Sequence, residues 1–278
     1  MDFLTSMANA SRARYERARS VRDDAEIVRA AESCAPASPL ILSHDGFDLL
    51  AEVKRTSPAA GQLADEDLAP AEQGRRYADA GAAAVSVLTE PSRFGGDLSH
   101  LKAVSAAVAP TPAMRKDFLV APYQVIEARA AGASGVLLIA AMLDVPGLRD
   151  MLQTALDLRM FVLVEAFDEA DVERCAPVMD DAGTAFDAER CRMLIGVNCR
   201  DLRTLEVDFP RFERLADRLP PGLPWVAESG VTSPDQAAVV AAMGYDLALV
   251  GTALMRAEDP GKLAAALLDA GRAAAPSG

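Results

Sequence analysis

Leu49-Leu50-Ala51-Glu52-Val53-Lys54-Arg55-Thr56-Ser57-Pro58 is the stretch whose reading decides the fold. A short apolar run carries two opposite charges two residues apart, then breaks at Ser57-Pro58. Side chains alternate faces along a strand, so Glu52 and Lys54 share one face while Ala51 and Val53 share the other. The apolar flanks predict a strand covered on both sides, as in a parallel sheet. Taking an ion out of water costs several kcal/mol even after relaxation. Two ions on one covered strand therefore call for partners or a task.

The same unit recurs downstream as a short apolar run, a loop and an Ala-rich helix. The strands are expected at Leu49–Lys54, Ala84–Thr89, Thr111–Lys116, Gly135–Ala140, Met160–Glu165, Met193–Asn198, Pro224–Glu228 and Leu247–Val250. Helices are expected at Pro70–Ala80, Leu98–Val108, Pro122–Ala131, Val145–Leu158, Asp168–Cys175, Phe209–Leu219, Pro234–Met243 and Pro260–Ala273. Pro122 and Pro234 suit a first helical turn, Asp168 and Ser233 suit N-caps, and Gly81, Gly132 and Gly244 stand where helices end.

Strand–helix units in series, with no hairpin signal, give a parallel sheet, and eight of them close a (β/α)8 barrel. An open doubly wound sheet would show a glycine-rich turn after its first strand, and Lys54-Arg55-Thr56-Ser57-Pro58 is no such turn. The expected fold is α/β: a single (β/α)8 TIM barrel over 46–278 behind an N-terminal helical extension over 1–45. In that extension Ser11–Ala31 reads as one or two surface helices, ended by Pro36-Ala-Ser-Pro39. Ala176 to Arg190 reads as an insertion before the sixth strand, with no function assigned.

Composition narrows the function. The chain has 278 residues, 51% of them hydrophobic, yet no stretch approaches the roughly 18 apolar residues of a membrane span. Met1-Asp2-Phe3-Leu4 lacks the basic start of a secretory signal, so a cytoplasmic protein is expected. A net charge of −13 argues against nucleic acid as a partner, but a local cationic pocket can still bind a small anion on an acidic protein. Cys34, Cys175, Cys191 and Cys199 form no C-x-x-C pair and read as reduced thiols. His44 and His100 are too few and too far apart for a histidine metal site or triad.

Barrel chemistry sits at the C-terminal ends of the strands. Those ends read Glu52 and Lys54, Thr89-Glu90, Lys116, Glu165, Asn198 with Arg200, Glu228-Ser229-Gly230 and Gly251-Thr252. A charged residue beside a strand is ordinary on its own, and recurrence at one structural level is the signal. Lys54, Lys116 and Arg200 would meet Glu52, Glu165 and Glu228 in one balanced cluster, each tuning its neighbours' proton affinity. Lysine beside carboxylate suits proton transfer at carbonyl and hydroxyl groups. Ser229-Gly230 and Gly251-Thr252 stand at strands seven and eight, where barrels commonly hold a phosphate. Arg93-Phe94-Gly95-Gly96 reads as a mobile loop that could close over a ligand. Phe118 lines the cavity or packs in the core, and Trp225 packs in the core.

Taken in order, Ala51–Pro58, Ser86–Glu90, Arg115–Phe118, Leu163–Glu165, Gly196–Leu202, Ala227–Gly230 and Val250–Thr252 resemble the indole-3-glycerol-phosphate synthase family. The resemblance implies a (β/α)8 barrel of tryptophan biosynthesis, working without metal or organic cofactor. It implies ring closure of 1-(2-carboxyphenylamino)-1-deoxyribulose 5-phosphate with loss of carbon dioxide and water. Lys116 would then protonate the ketone oxygen, and Glu165 would move a proton in the dehydration. Lys54 would bind anionic groups or act as the second acid, and Glu52 would hold it. Asn198, Arg200 and Glu228 would fix the carboxylate and hydroxyls. Ser57, Ser229, Gly230, Gly251 and Thr252 would line the substrate and phosphate positions, with Phe94, Phe118, Leu137 and Leu202 walling the aromatic ring. Cys199 replaces the family's usual second Asn, with its side chain expected to point away from that of Asn198.

The expected partner is a small anionic substrate, with no nucleic acid or membrane, on a monomer or weak homo-oligomer. Phosphoribosylanthranilate isomerase, a neighbouring barrel, fits less well. Its acid–base pair is Cys and Asp, where the first strand here offers Glu52 and Lys54. A barrel that only binds is the remaining alternative.

Overall fold

In the computed structural model, which describes residues 2–63, 68–182, 186–187, 190–200 and 206–276, the parallel strands close on themselves. In chain order they are β1 Asp48–Val53, β2 Ala84–Leu88, β3 Ala113–Lys116, β4 Gly135–Ile139, β5 Phe161–Ala166, β6 Met193–Asn198, β7 Trp225–Glu228 and β8 Leu247–Val250. Each pairs with the strands before and after it, and β8 returns to β1 through Ala51 opposite Val250. The expected (β/α)8 barrel is what the chain forms.

Why these runs form this barrel follows from their two faces. Outward residues such as Leu49, Ala51, Val53, Val85, Val87 and Val164 are buried under the helices. Inward residues Leu50, Met114, Leu137, Leu163, Leu194, Val226 and Leu249 fill the interior. Both faces are covered, so the strands read as continuous apolar runs. Two residues further along the inward face the apolar filling stops. Leu50 gives way to Glu52, Met114 to Lys116, Leu163 to Glu165 and Val226 to Glu228, which sets a polar floor at one end of the barrel.

The helices are α1 Phe3–Val21, α2 Asp24–Glu32, α3 Pro70–Asp79, α4 Pro91–Phe94, α5 Leu98–Val108 and α6 Pro122–Ala130. They continue as α7 Val145–Asp157, α8 Glu169–Asp181, α9 Arg211–Ala216, α10 Pro234–Ala242, α11 Thr252–Arg256 and α12 Pro260–Ala274. Ser233 and Asp168 cap α10 and α8 through Gln236 N and Asp171 N, as expected. The N-terminal stretch supplies α1 and α2, and Asp23 and Glu26 close a reciprocal capping box on α2. Ser11 Oγ accepts from Gln124 Nε2 at 2.9 Å, and Tyr123 OH donates to Arg22 O at 2.9 Å, seating α1 on α6.

Three elements differ from expectation by more than one residue at an end. β3 begins at Ala113 rather than Thr111, since Pro112 has no N–H to enter the ladder. α8 continues past Cys175 and through Pro177 to Asp181. The lost bond is offset by the burial of Val178 and Met179. α9 is shorter than Phe209–Leu219, confined between Pro210 and Pro220. The Ala176–Arg190 insertion thus begins as helix and continues as a ribbon, Phe186–Asp187 against Arg190–Cys191, while 183–185 and 188–189 lie outside the described residues. Trp225 is partly buried on the barrel exterior, its Nε1 donating to Pro220 O at 3.1 Å.

Candidate active site

At the C-terminal end of the barrel a cavity of about 960 Å³, open mouth included, is lined from every side of the sheet. Two ionic groups form its floor. Lys116 Nζ, from the end of β3, lies 3.1 Å from Glu165 Oε2 on β5 and 3.3 Å from Glu228 Oε2 on β7. Across the barrel, Lys54 Nζ lies 2.7 Å from Glu52 Oε1. All five line the cavity, and the three carboxylates are almost fully buried.

Their proton affinities follow from this crowding. Burial lowers the affinity of the Lys116 ammonium for its proton, but the charges of Glu165, Glu228 and Glu52 reverse that and hold it charged. Burial pushes the Glu228 carboxyl well above the usual carboxylate range, and nearby Glu165 adds to the shift against the pull of Lys116. The site thus holds a fixed ammonium beside a carboxyl whose proton affinity is raised. Glu228 Oε1 is buried with no hydrogen-bond partner.

The remaining expected residues meet around this floor. Asn198 lines the cavity, and its Oδ1 accepts from Arg200 N at 3.0 Å. Cys199 turns the other way, as expected, and its Sγ donates to Ser229 O at 3.4 Å. Ser229 and Gly230 both lie in the left-handed region, at φ 63° and 76°, so the chain turns sharply at the mouth. Ser57, Gly251 and Thr252 complete that side. A methyl group on Gly251 would overlap Glu52 Oε1 and stand 3.0 Å from Lys54 Nζ.

Opposite, Phe94 and Phe118 pack at a tilt of 35° with 6.1 Å between ring centres, and Leu137 lines the same cavity. Leu202, expected in this wall, lies outside the described residues. The Arg93–Gly96 stretch, expected as a mobile loop that could close over a ligand, takes in the end of the single turn α4, which Gly95 closes at φ 60°. A side chain on Gly96 would collide with the backbone of Leu88 and Thr89, so that glycine serves close packing.

Sequence reasoning missed three groups. Phe3, from α1, sits edge-on to Phe118 at 5.9 Å and joins the wall. Leu88, Ile139 and Leu249 also line the cavity; the period-two pattern that found Glu52 could have found them. Glu90 proves to be no cavity group. It accepts from Ser92 N and Arg93 N at the start of α4 and takes Arg14 Nη1 at 3.3 Å. Arg14 also donates to Asp117 at 2.6 Å, beside Lys116. Among the described residues no cluster of His, Cys, Asp and Glu is placed to hold a metal, and no helix is long and apolar enough to cross a membrane.

The family model for indole-3-glycerol phosphate synthase matches residues 8–267. A protein of that description from Parafrankia sp. is 44% identical over 96% of this chain and 89% of its own. One from Nocardioides sp. is 48% identical over 77% of each. Among solved structures, 3-hexulose-6-phosphate synthase from Salmonella typhimurium superposes with a TM-score of 0.62 at 14% identity, covering 82% of this chain and 100% of the other. That likeness speaks for the barrel alone.

Proposed function

The chain belongs to the indole-3-glycerol phosphate synthase family, and from that membership we propose how its residues divide the work. The reaction is ring closure of 1-(2-carboxyphenylamino)-1-deoxyribulose 5-phosphate to indole-3-glycerol phosphate, with loss of carbon dioxide and water, in tryptophan biosynthesis. The enzyme is a decarboxylating lyase with a small phosphorylated substrate.

The observation that carries the assignment is Lys116, an ammonium held between Glu165 and Glu228 at the cavity floor. As the substrate's aromatic carbon attacks its ketone, Lys116 donates a proton to the oxygen, which becomes a hydroxyl rather than an oxyanion and is lost as water only in the later dehydration. Loss of carbon dioxide then restores the aromatic ring. Glu228, whose proton affinity burial raises, sits 3.3 Å from Lys116 Nζ, where it can recharge the lysine. Glu165 takes the proton released from the methylene carbon during dehydration. Lys54, set by Glu52, meets the anionic groups of the substrate. Asn198 and Arg200 orient the carboxylate and hydroxyls. Ser57, Ser229, Gly230, Gly251 and Thr252 hold the phosphate end, and Phe94, Phe118 and Leu137 clasp the aromatic ring.

The division at about residue 45, between helical extension and catalytic barrel, belongs to the same reading, supported by α1 and α2 preceding β1. A cytoplasmic site of action and a monomer or weak homo-oligomer complete it, the former supported by four free cysteines.

The test follows indole fluorescence from the carboxyphenylamino-deoxyribulose phosphate. Lys116→Ala is expected to lower kcat by about 10²–10⁴-fold, with the circular dichroism and analogue binding of the wild type. Turnover at the wild-type rate in that variant would remove Lys116 as the acid.

A further inference from the structure

Gly196 lies in the middle of β6, opposite Glu165 on β5 and Val226 on β7. Leu194 and Asn198, two residues to either side, face the barrel interior, so a side chain at 196 would point the same way. That space is taken. A methyl group on Gly196 would overlap Glu228 Oε1 and stand 3.1 Å from both Glu228 Cδ and Leu163 Cδ1. The overlapped oxygen is the one with no hydrogen-bond partner, while the other oxygen of the same carboxyl holds Lys116 Nζ at 3.3 Å.

Glu228 is 1% exposed, so its carboxyl cannot swing out into solvent. Pushing Oε1 off β6 turns the whole planar group, and Oε2 turns with it, away from Lys116. A hydrogen atom at position 196 is therefore matched first to the ionic floor, since the inward neighbours Leu194 and Asn198 on the same strand carry full side chains and the closest atom a methyl group would meet is Glu228 Oε1.

We infer that Gly196 is a positioning residue for the reaction: its bare backbone is the seat that aims the Glu228 carboxyl at Lys116. The inference rests on the role given to Glu228 above. A misplacement of about 1 Å in such a group costs up to about 10²-fold in rate.

The experiment is a double-mutant cycle on the full chain, reading kcat and KM for the carboxyphenylamino-deoxyribulose phosphate together with the thermal midpoint. Gly196→Ala alone is expected to lower kcat by about 10–100-fold with KM changed far less. In the Glu228→Ala background, where no carboxyl occupies the seat, the same substitution is expected to change kcat by less than about twofold. Equal losses in both backgrounds would overturn the inference, because a cost in strand packing or against Leu163 does not depend on Glu228. If Gly196→Ala folds only in the Glu228→Ala background, the overlap with Glu228 is upheld; failure to fold in both overturns it. Wild-type kcat in Glu228→Ala would instead remove Glu228 from the chemistry, a separate failure of the underlying role.

Discussion

Two carboxyls face one ammonium at the cavity floor, and burial, with the nearby charge of Glu165, raises the proton affinity of Glu228. This has a consequence for stability with a definite sign. In the unfolded chain Glu228 releases its proton at about pH 4 to 5, whereas in the folded barrel it holds on to higher pH. Across that window the folded state binds more protons, so stability is lost as pH rises, by up to about 1.4 kcal/mol per unit. Glu228→Gln abolishes this titration. Lys116 titrates far above the window, so the weakened attraction in the variant is a constant offset. The thermal midpoint of Glu228→Gln relative to wild type is expected to climb as the pH is raised from about 5. A difference that stays level as the pH is raised would mean that Glu228 ionises normally. The ionic residues of this floor were legible in the sequence because charge at an inward, period-two position is costly and hence conspicuous. Gly196 was not, since a glycine in a strand shows only what is absent, and its neighbour Glu228 stands 32 positions away.

The helices repeat one ending. α3, α6 and α10 each close with a glycine two residues past the last helical position: Gly81, Gly132 and Gly244, at φ 91°, 93° and 93°. In each, the glycine N–H and the next N–H donate back to Ala78 and Tyr77, to Arg129 and Ala128, or to Ala241 and Val240, the paired bonds of a Schellman motif. α7 makes the same two bonds, from Arg159 to Leu156 and from Met160 to Ala155, but the left-handed residue is Arg159 at φ 57°. A side chain there costs about 1–2 kcal/mol, partly offset by the entropy a glycine would bring to the unfolded chain. Arg159→Gly is expected to raise the thermal midpoint by about 1 to 3 °C with kcat unchanged, Arg159 being remote from the site. A lowered midpoint would show that the exposed arginine contributes more than its backbone strain costs. The three glycine endings could be read in advance from the glycines; the end of α7 is expected at Leu158, but nothing in Leu158-Arg159-Met160 marks which residue turns left-handed. Arg14 was hidden for a related reason. Among Arg12, Arg14, Arg17 and Arg19 of one surface helix, only the placement of Glu90 and Asp117, 76 and 103 residues on, singles it out.

A closed barrel has no edge strand from which to fray, so its parts should open together. Three thiols sit in separate places to report on this: Cys175 on α8, Cys191 in the ribbon bridged to Leu40, and Cys199 just past β6. All are buried, and burial pushes each thiol up to about 12. At pH 8 their thiolate fraction is on the order of 10⁻⁴, before any hindrance to a reagent. Cys34 is only half-buried. Under native conditions an alkylating reagent is therefore expected to modify at most Cys34 quickly, and all four thiols at once in denaturant. In native buffer the slow labelling of Cys175, Cys191 and Cys199, followed by mass spectrometry, should share one rate, that of global opening. Labelling of Cys191 well ahead of the other two would mean that the ribbon parts from the barrel without unfolding it, and the barrel would then not open as one cooperative unit.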